Sequence, residues 1–203
     1  SSELMTEVAA SIVATLYNYQ LMVFVGTEGV AAYGVIMYVN FIFTAIFFGY
    51  AMGTGPIVSY HYGAQHHYEM KNLLVKSLII IGVTSVVMVV LSQTFAQSLV
   101  SLFVGYDAAL VALTVHGFRI YALSFLFCGF NIYGSAFFTA LNNGKVSALI
   151  AFIRTLVLET STVMLLPIFF GINGIWSAII VAEVAALILT VFFLVKYRKR
   201  YQY

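Results

Sequence analysis

The sequence predicts an all-α membrane protein, a bundle of six transmembrane helices. Three observations carry this. Hydrophobic residues make up 63% of the 203-residue chain and charged residues only 8%, against roughly 25% charged in a soluble domain. The apolar residues fall in runs long enough to span a bilayer as helices. Runs such as 78–91 and 187–195 do not alternate, as the strands of a transmembrane barrel would.

Span one covers about residues 7–26 and ends at the Gly26-Thr-Glu-Gly29 turn. Span two, about 30–62, is unusually long, and Gly53, Gly55 and Pro56 in its second part predict a kink that could act as a hinge. Span three, about 73–104, turns polar near its end at Ser92, Gln93 and Gln97. Span four, about 110–141, begins with His116 and Arg119, read as anchors at the membrane interface. Span five, about 146–170, and span six, about 174–196, are separated by the tight Gly171-Ile-Asn-Gly174 turn. The six spans form a single unit, residues 1–203, because no gap is long enough to hold a soluble domain.

Basic residues occupy every second junction: Lys71 and Lys76 after span two, Lys145 after span four, and Lys196, Arg198, Lys199 and Arg200 after span six. The remaining junctions carry Glu28, Asp107 or no charge. The positive-inside rule then places both termini in the cytoplasm. A net charge of +2 without a clustered basic patch points away from nucleic acid. The single cysteine, Cys128, excludes an internal disulfide and a multi-cysteine metal site. The chain begins Ser-Ser-Glu without an initiator Met or signal peptide, which suggests a fragment or processed product.

Ionisable groups inside a span are costly and mark pathways for substrates or ions. Glu7, Ser11 and Asn18 share one face of span one, a polar stripe roughly 16 Å long. Arg154 and Glu159 lie in span five, but on an α-helix they stand about 140° apart, so each needs its own partner. Burial at the depth of Glu159 favours the protonated acid, the state a proton-coupled site exchanges. Glu183, near the middle of span six, adjoins the small-residue stripe Ala178, Ala182 and Ala186, and either caps a helix interface or lines a cavity. His61, His66 and His67 flank the loop after span two and read as solvated residues, since no helix-face spacing supports a metal site. The glycines of the Gly53–Gly63 stretch lack the Gly-Lys-Ser/Thr ending of a phosphate loop. No catalytic triad, metal cluster or dinucleotide fingerprint is evident, which points away from an enzyme.

Several segments together resemble the C-terminal half of the multidrug and toxic compound extrusion (MATE) family. They are Gly29-Val-Ala-Ala-Tyr-Gly34, Gly53-Thr-Gly-Pro56 with Ser59-Tyr and Tyr62-Gly-Ala64, Gly129-Phe-Asn131, Arg154, and Pro167-Ile-Phe-Phe-Gly171-Ile-Asn-Gly174-Ile-Trp176 followed by Glu183. Tyr17-Asn18 resembles the Phe-Asn pair of a bacterial branch. The resemblance runs in order along essentially the whole chain. It implies a secondary antiporter of twelve helices in two lobes, of which this chain is the second. Such proteins export cationic, amphipathic drugs across the bacterial inner membrane in exchange for Na⁺ or H⁺, with no organic cofactor, by rocking one lobe against the other. The chain departs from the pattern in lacking the first lobe, so it is expected not to transport alone. Glu7 also stands nearer the helix start than the acid some relatives carry there. Expected substrate or ion contacts are Glu7, Tyr17, Asn18, Asn40, Asn131, Arg154, Glu159 and Glu183, with no metal site. Two alternatives remain at this point: a lipid-linked oligosaccharide or polysaccharide flippase of the same superfamily, and a six-helix scaffold or channel subunit.

Overall fold

A computed structural model describes the backbone of residues 2–203 and the side chains of residues 8–203. The described chain is helical throughout, apart from short turns. Helix α1 is Ser2–Phe24, α2 Thr27–Gly63, α3 His67–Val104 and α4 Ala108–Tyr121. A 3₁₀ turn, Ala122–Ser124, joins α4 to α5, Phe125–Ala140. Helix α6, Gly144–Phe152, runs into a π-helical segment, Ile153–Glu159, and then into α7, Thr160–Tyr201. Gly171 breaks α7 with φ 55° and ψ −135°, a conformation that side-chain-bearing residues avoid. The result is six rods: α1, α2, α3, α4–α5, residues 144–170 and residues 172–201. Helices α2 and α3, the 108–140 rod and the 144–201 stretch are each long and apolar enough to cross a membrane; the apolar part of α1, Val8–Phe24, is shorter.

Local chemistry sets the ends. Asp107 caps α4, its Oδ1 accepting from the backbone N–H of Ala109 (2.9 Å) and Leu110 (3.1 Å). Asn143 caps α6 through Val146 N–H. Gly26, at φ 90°, turns the chain between α1 and α2. Helical geometry persists through Gly53, Gly55 and Pro56, and the non-helical break among the described residues falls at Gly171.

Helix α5 is central, packing against α2, α3, α6 and α7. The core is aromatic and aliphatic, with Trp176, Phe118, Phe125, Phe138 and Ile36 fully buried. Large apolar side chains such as Ile42, Ile168 and Phe169 are exposed on the outside, as a lipid-facing surface requires. Several polar groups inside the bundle are paired across rods, where each hydrogen bond replaces one that hydrocarbon cannot supply. Tyr50 Oη donates to Ser77 Oγ at 3.0 Å. Ser147 Oγ lies 2.9 Å from Ser135 Oγ and 2.7 Å from Thr139 Oγ1, joining α6 to α5.

The basic junctions gather at one end of the bundle. Ser59 Oγ donates to the Ala140 carbonyl, and the Tyr62 and Tyr201 rings lie 5.6 Å apart, so the ends of α2, α5 and α7 meet. His61 and His66 are at this end too, with Nδ1 atoms 3.4 Å apart. Among the described residues no group of three or more potential ligands could hold a metal ion. At the other end, His116 Nε2 lies 2.7 Å from Asn173 Oδ1, tying α4 to the Gly171 break.

Gly117 sits against the face of Trp176, and a Cβ there would come within 2.7 Å of the indole. Gly117→Ala is expected to destabilise the bundle by about 1–3 kcal/mol through overpacking. Trp176 is the only tryptophan, so thermal unfolding followed by intrinsic fluorescence reads this directly; an unchanged midpoint and emission maximum would refute the close packing.

Candidate functional site

The inner face of the bundle encloses a cavity of about 930 Å³, walled by α1 and α2 and floored by α5, the π segment and α7. Most of its lining is apolar, including Val13, Met37, Phe48 and Ile132. Tyr17 and Tyr33 stack within it, their rings 4.9 Å apart and 9° from parallel. The two tyrosines are equally far in sequence from Val25, which places them at one depth on antiparallel rods. Tyr121 completes the aromatic wall.

The charged groups lie on the floor. Arg154 donates from Nε to Glu183 Oε1 at 2.9 Å, and its Nη2 donates to the same oxygen. The other carboxylate oxygen, Oε2, accepts from Asn131 Nδ2 at 2.7 Å. That amide also reaches the Glu183 backbone carbonyl at 3.0 Å, while Thr190 Oγ1 donates to Asn131 Oδ1 at 2.9 Å. The threonine thereby fixes which end of the Asn131 amide faces Glu183. Glu183 is 1% exposed and Asn131 0%, whereas the Arg154 side chain is 18% exposed. This is the only ion pair among the described residues, and its acid is fully hydrogen-bonded, the condition under which a buried pair persists.

Glu159 is different. Its carboxylate faces the same cavity without a hydrogen bond or ion pair among the described residues. An α-helix would have turned it away from Arg154. The π segment bonds i to i+5, so residue 159 comes round nearly beneath residue 154 and both line one cavity. The two therefore share a face, and Arg154 finds its partner on the next rod. Glu183 lines the cavity and also joins helix to helix through Asn131 and Arg154.

Asn18 and Asn40 also line the cavity, with Tyr17, Arg154, Glu159 and Glu183. Asn131 does not; it stands behind Glu183 as support. The polar stripe of α1 divides: Asn18 faces the cavity, whereas Ser11 is exposed and outside it. The Glu7 side chain lies outside the described residues. Gly53, Gly55 and Pro56 are beyond the lining, although Gly49 and Met52 belong to it. Sequence reasoning missed Tyr33, Tyr121 and Thr190. The placement of Tyr17 and Tyr33 either side of the turn was the available signal for the first of these.

The MatE family model matches residues 4–165. The chain belongs to the MatE family. No curated protein matches it. Among solved structures, the MatE chain superimposes on an outward-facing multidrug resistance MATE family transporter of the MOP superfamily with TM-score 0.89 and 18% identity, covering 97% of this chain and 44% of that one. A MATE in complex with MaL6 gives 0.85 and 17%, covering 98% and 44%. A MOP superfamily transporter from Pyrococcus furiosus, described as having a binding pocket of reverse polarity that suggests a different function, gives 0.85 and 18%, covering 97% and 44%. This MatE chain thus has the six-helix lobe of a MATE transporter and spans less than half the length of those relatives.

Asn131→Ala in the MatE chain strands Glu183 Oε2 in a buried site and is expected to cost about 1–3 kcal/mol. A double-mutant cycle with Glu183→Gln, read by thermal unfolding in detergent, should show coupling; strictly additive losses would mean the two side chains do not interact.

Proposed function

We propose that this chain is the C-terminal lobe of a secondary antiporter that exports amphipathic organic cations across a bacterial inner membrane in exchange for Na⁺ or H⁺. In this reading both termini face the cytoplasm and the basic end of the bundle is the cytoplasmic end. The observation that carries it is the unpaired Glu159 carboxylate in a tyrosine-walled, largely apolar cavity. A carboxylate attracts a cation, aromatic faces stack on it, and apolar walls receive the hydrophobic body. Binding of the coupling ion neutralises the same carboxylate and releases the substrate. Tyr17, Asn18 and Asn40 contact the substrate. Arg154, Glu183 and Asn131 hold the floor, and the glycine-proline region of α2, Gly53, Gly55 and Pro56, serves as the hinge.

A second six-helix lobe closes the cavity, consistent with the length of the solved transporters relative to this chain. Transport then arises from rocking between the lobes. A flippase for lipid pyrophosphates needs free basic groups in its cavity, and here Arg154 is neutralised by Glu183.

Efflux of a fluorescent cation from cells expressing the full-length protein tests the reading. Glu159→Gln should reduce efflux by about tenfold or more, a loss of about 1.4 kcal/mol. Unchanged efflux in both Glu159→Gln and Glu183→Gln would remove these acids from coupling. Binding of a lipid pyrophosphate without cation efflux would favour the flippase.

A further inference from the structure

We infer that the Arg154–Glu183 pair sets the valence of the cation this cavity accepts, making Arg154 a specificity-determining residue that selects monovalent organic cations. The inference rests on the reading of the cavity as a cation site.

Among the described residues, the charged groups lining the cavity are Arg154, Glu159 and Glu183. In the cation-binding state, with Glu159 ionised, one positive and two negative groups leave a single excess negative charge. The pairing makes that charge local. Arg154 spends Nε and Nη2 on Glu183 Oε1, and Asn131 occupies Oε2, so Glu183 has no oxygen left without a donor. Glu159 alone keeps its carboxylate unpartnered. A ligand with one positive charge is matched by Glu159. A ligand with two must place its second charge near Glu183, where the Arg154 guanidinium already stands and repels it. Charges within a few ångströms in a largely apolar cavity interact strongly, so this mismatch is not screened away.

The backbone supports the same division of labour. Both residues lie on the π segment Ile153–Glu159, whose wide turn brings Arg154 and Glu159 onto one face. The segment thus presents a fixed cation and a free carboxylate side by side. The cavity contains the other acid, but it is already paid for.

The test uses the purified full-length protein in nanodiscs and two probes built on one ring: benzyltrimethylammonium, with one charge, and p-xylylene-bis(trimethylammonium), with two. Titration calorimetry gives the ratio of their affinities. The native chain should prefer the monocation. Arg154→Gln exposes Glu183 as a second free acid, and the ratio should move about tenfold or more toward the dication. The double substitution Arg154→Gln with Glu183→Gln restores one excess charge and should return the native ratio. Glu183→Gln alone leaves Arg154 opposed to Glu159 and should weaken the monocation about tenfold; this variant keeps the inference open to refutation if Arg154→Gln does not fold. An unchanged ratio in Arg154→Gln, or unchanged monocation binding in Glu183→Gln, overturns the inference. If Glu159→Gln binds the monocation as the native chain does, the cation-site reading itself fails, a different result from either.

Discussion

The buried guanidinium–carboxylate pair of Arg154 and Glu183 is the constraint around which the inner face is organised. A charge in hydrocarbon is tolerated only when paired and hydrogen-bonded. The chain meets that condition with four side chains from three rods: Arg154 from the fifth, Glu183 and Thr190 from the sixth, and Asn131 from α5. Each member has a stated direction. Thr190 orients Asn131, Asn131 holds one oxygen of Glu183, and the other oxygen holds Arg154. The surrounding packing serves this arrangement. Gly134 leaves room for Thr190, where a Cβ would approach within 2.3 Å of Cγ2. Because the network consumes its own charges, the neighbouring Glu159 is left to face the cavity alone.

Much of the fold could be read from the chain, because the bilayer imposes a simple grammar. Apolar runs gave the rods, and sparse polar junctions such as Asp107, now seen as a helix cap, gave their ends. The Gly171-Ile-Asn-Gly174 turn was legible from its glycines, and Gly171 adopts the positive φ that they suggest. The long second rod was legible as well. Proline and glycine weaken a helix without always ending it, and the packing of α2 against α1, α3, α4 and α5 holds it helical through Pro56.

The site was legible in its members more than in its geometry. The costliness of Arg154, Glu159 and Glu183 in a span identified them. Their arrangement was not readable, because it depends on a helix type with no local sequence signature. A periodicity argument assumes a constant turn, and the π segment changes it over seven residues. That single departure converts two residues expected on different faces into neighbours in one cavity. Asn131 was identified through its family motif, but its role as support behind Glu183 required the fold.

The break at Gly171 bears on how the molecule assembles. Arg154 and Glu183 stand on either side of it, on the two arms of one helical hairpin. The most expensive charges in the chain are therefore close in sequence and can neutralise one another as soon as both arms are inserted, before the rest of the bundle gathers. Asn131, on an earlier rod, then completes the network when the hairpin docks. The tight glycine corner, besides reversing the chain, keeps the period during which a lone guanidinium faces lipid as short as the topology allows.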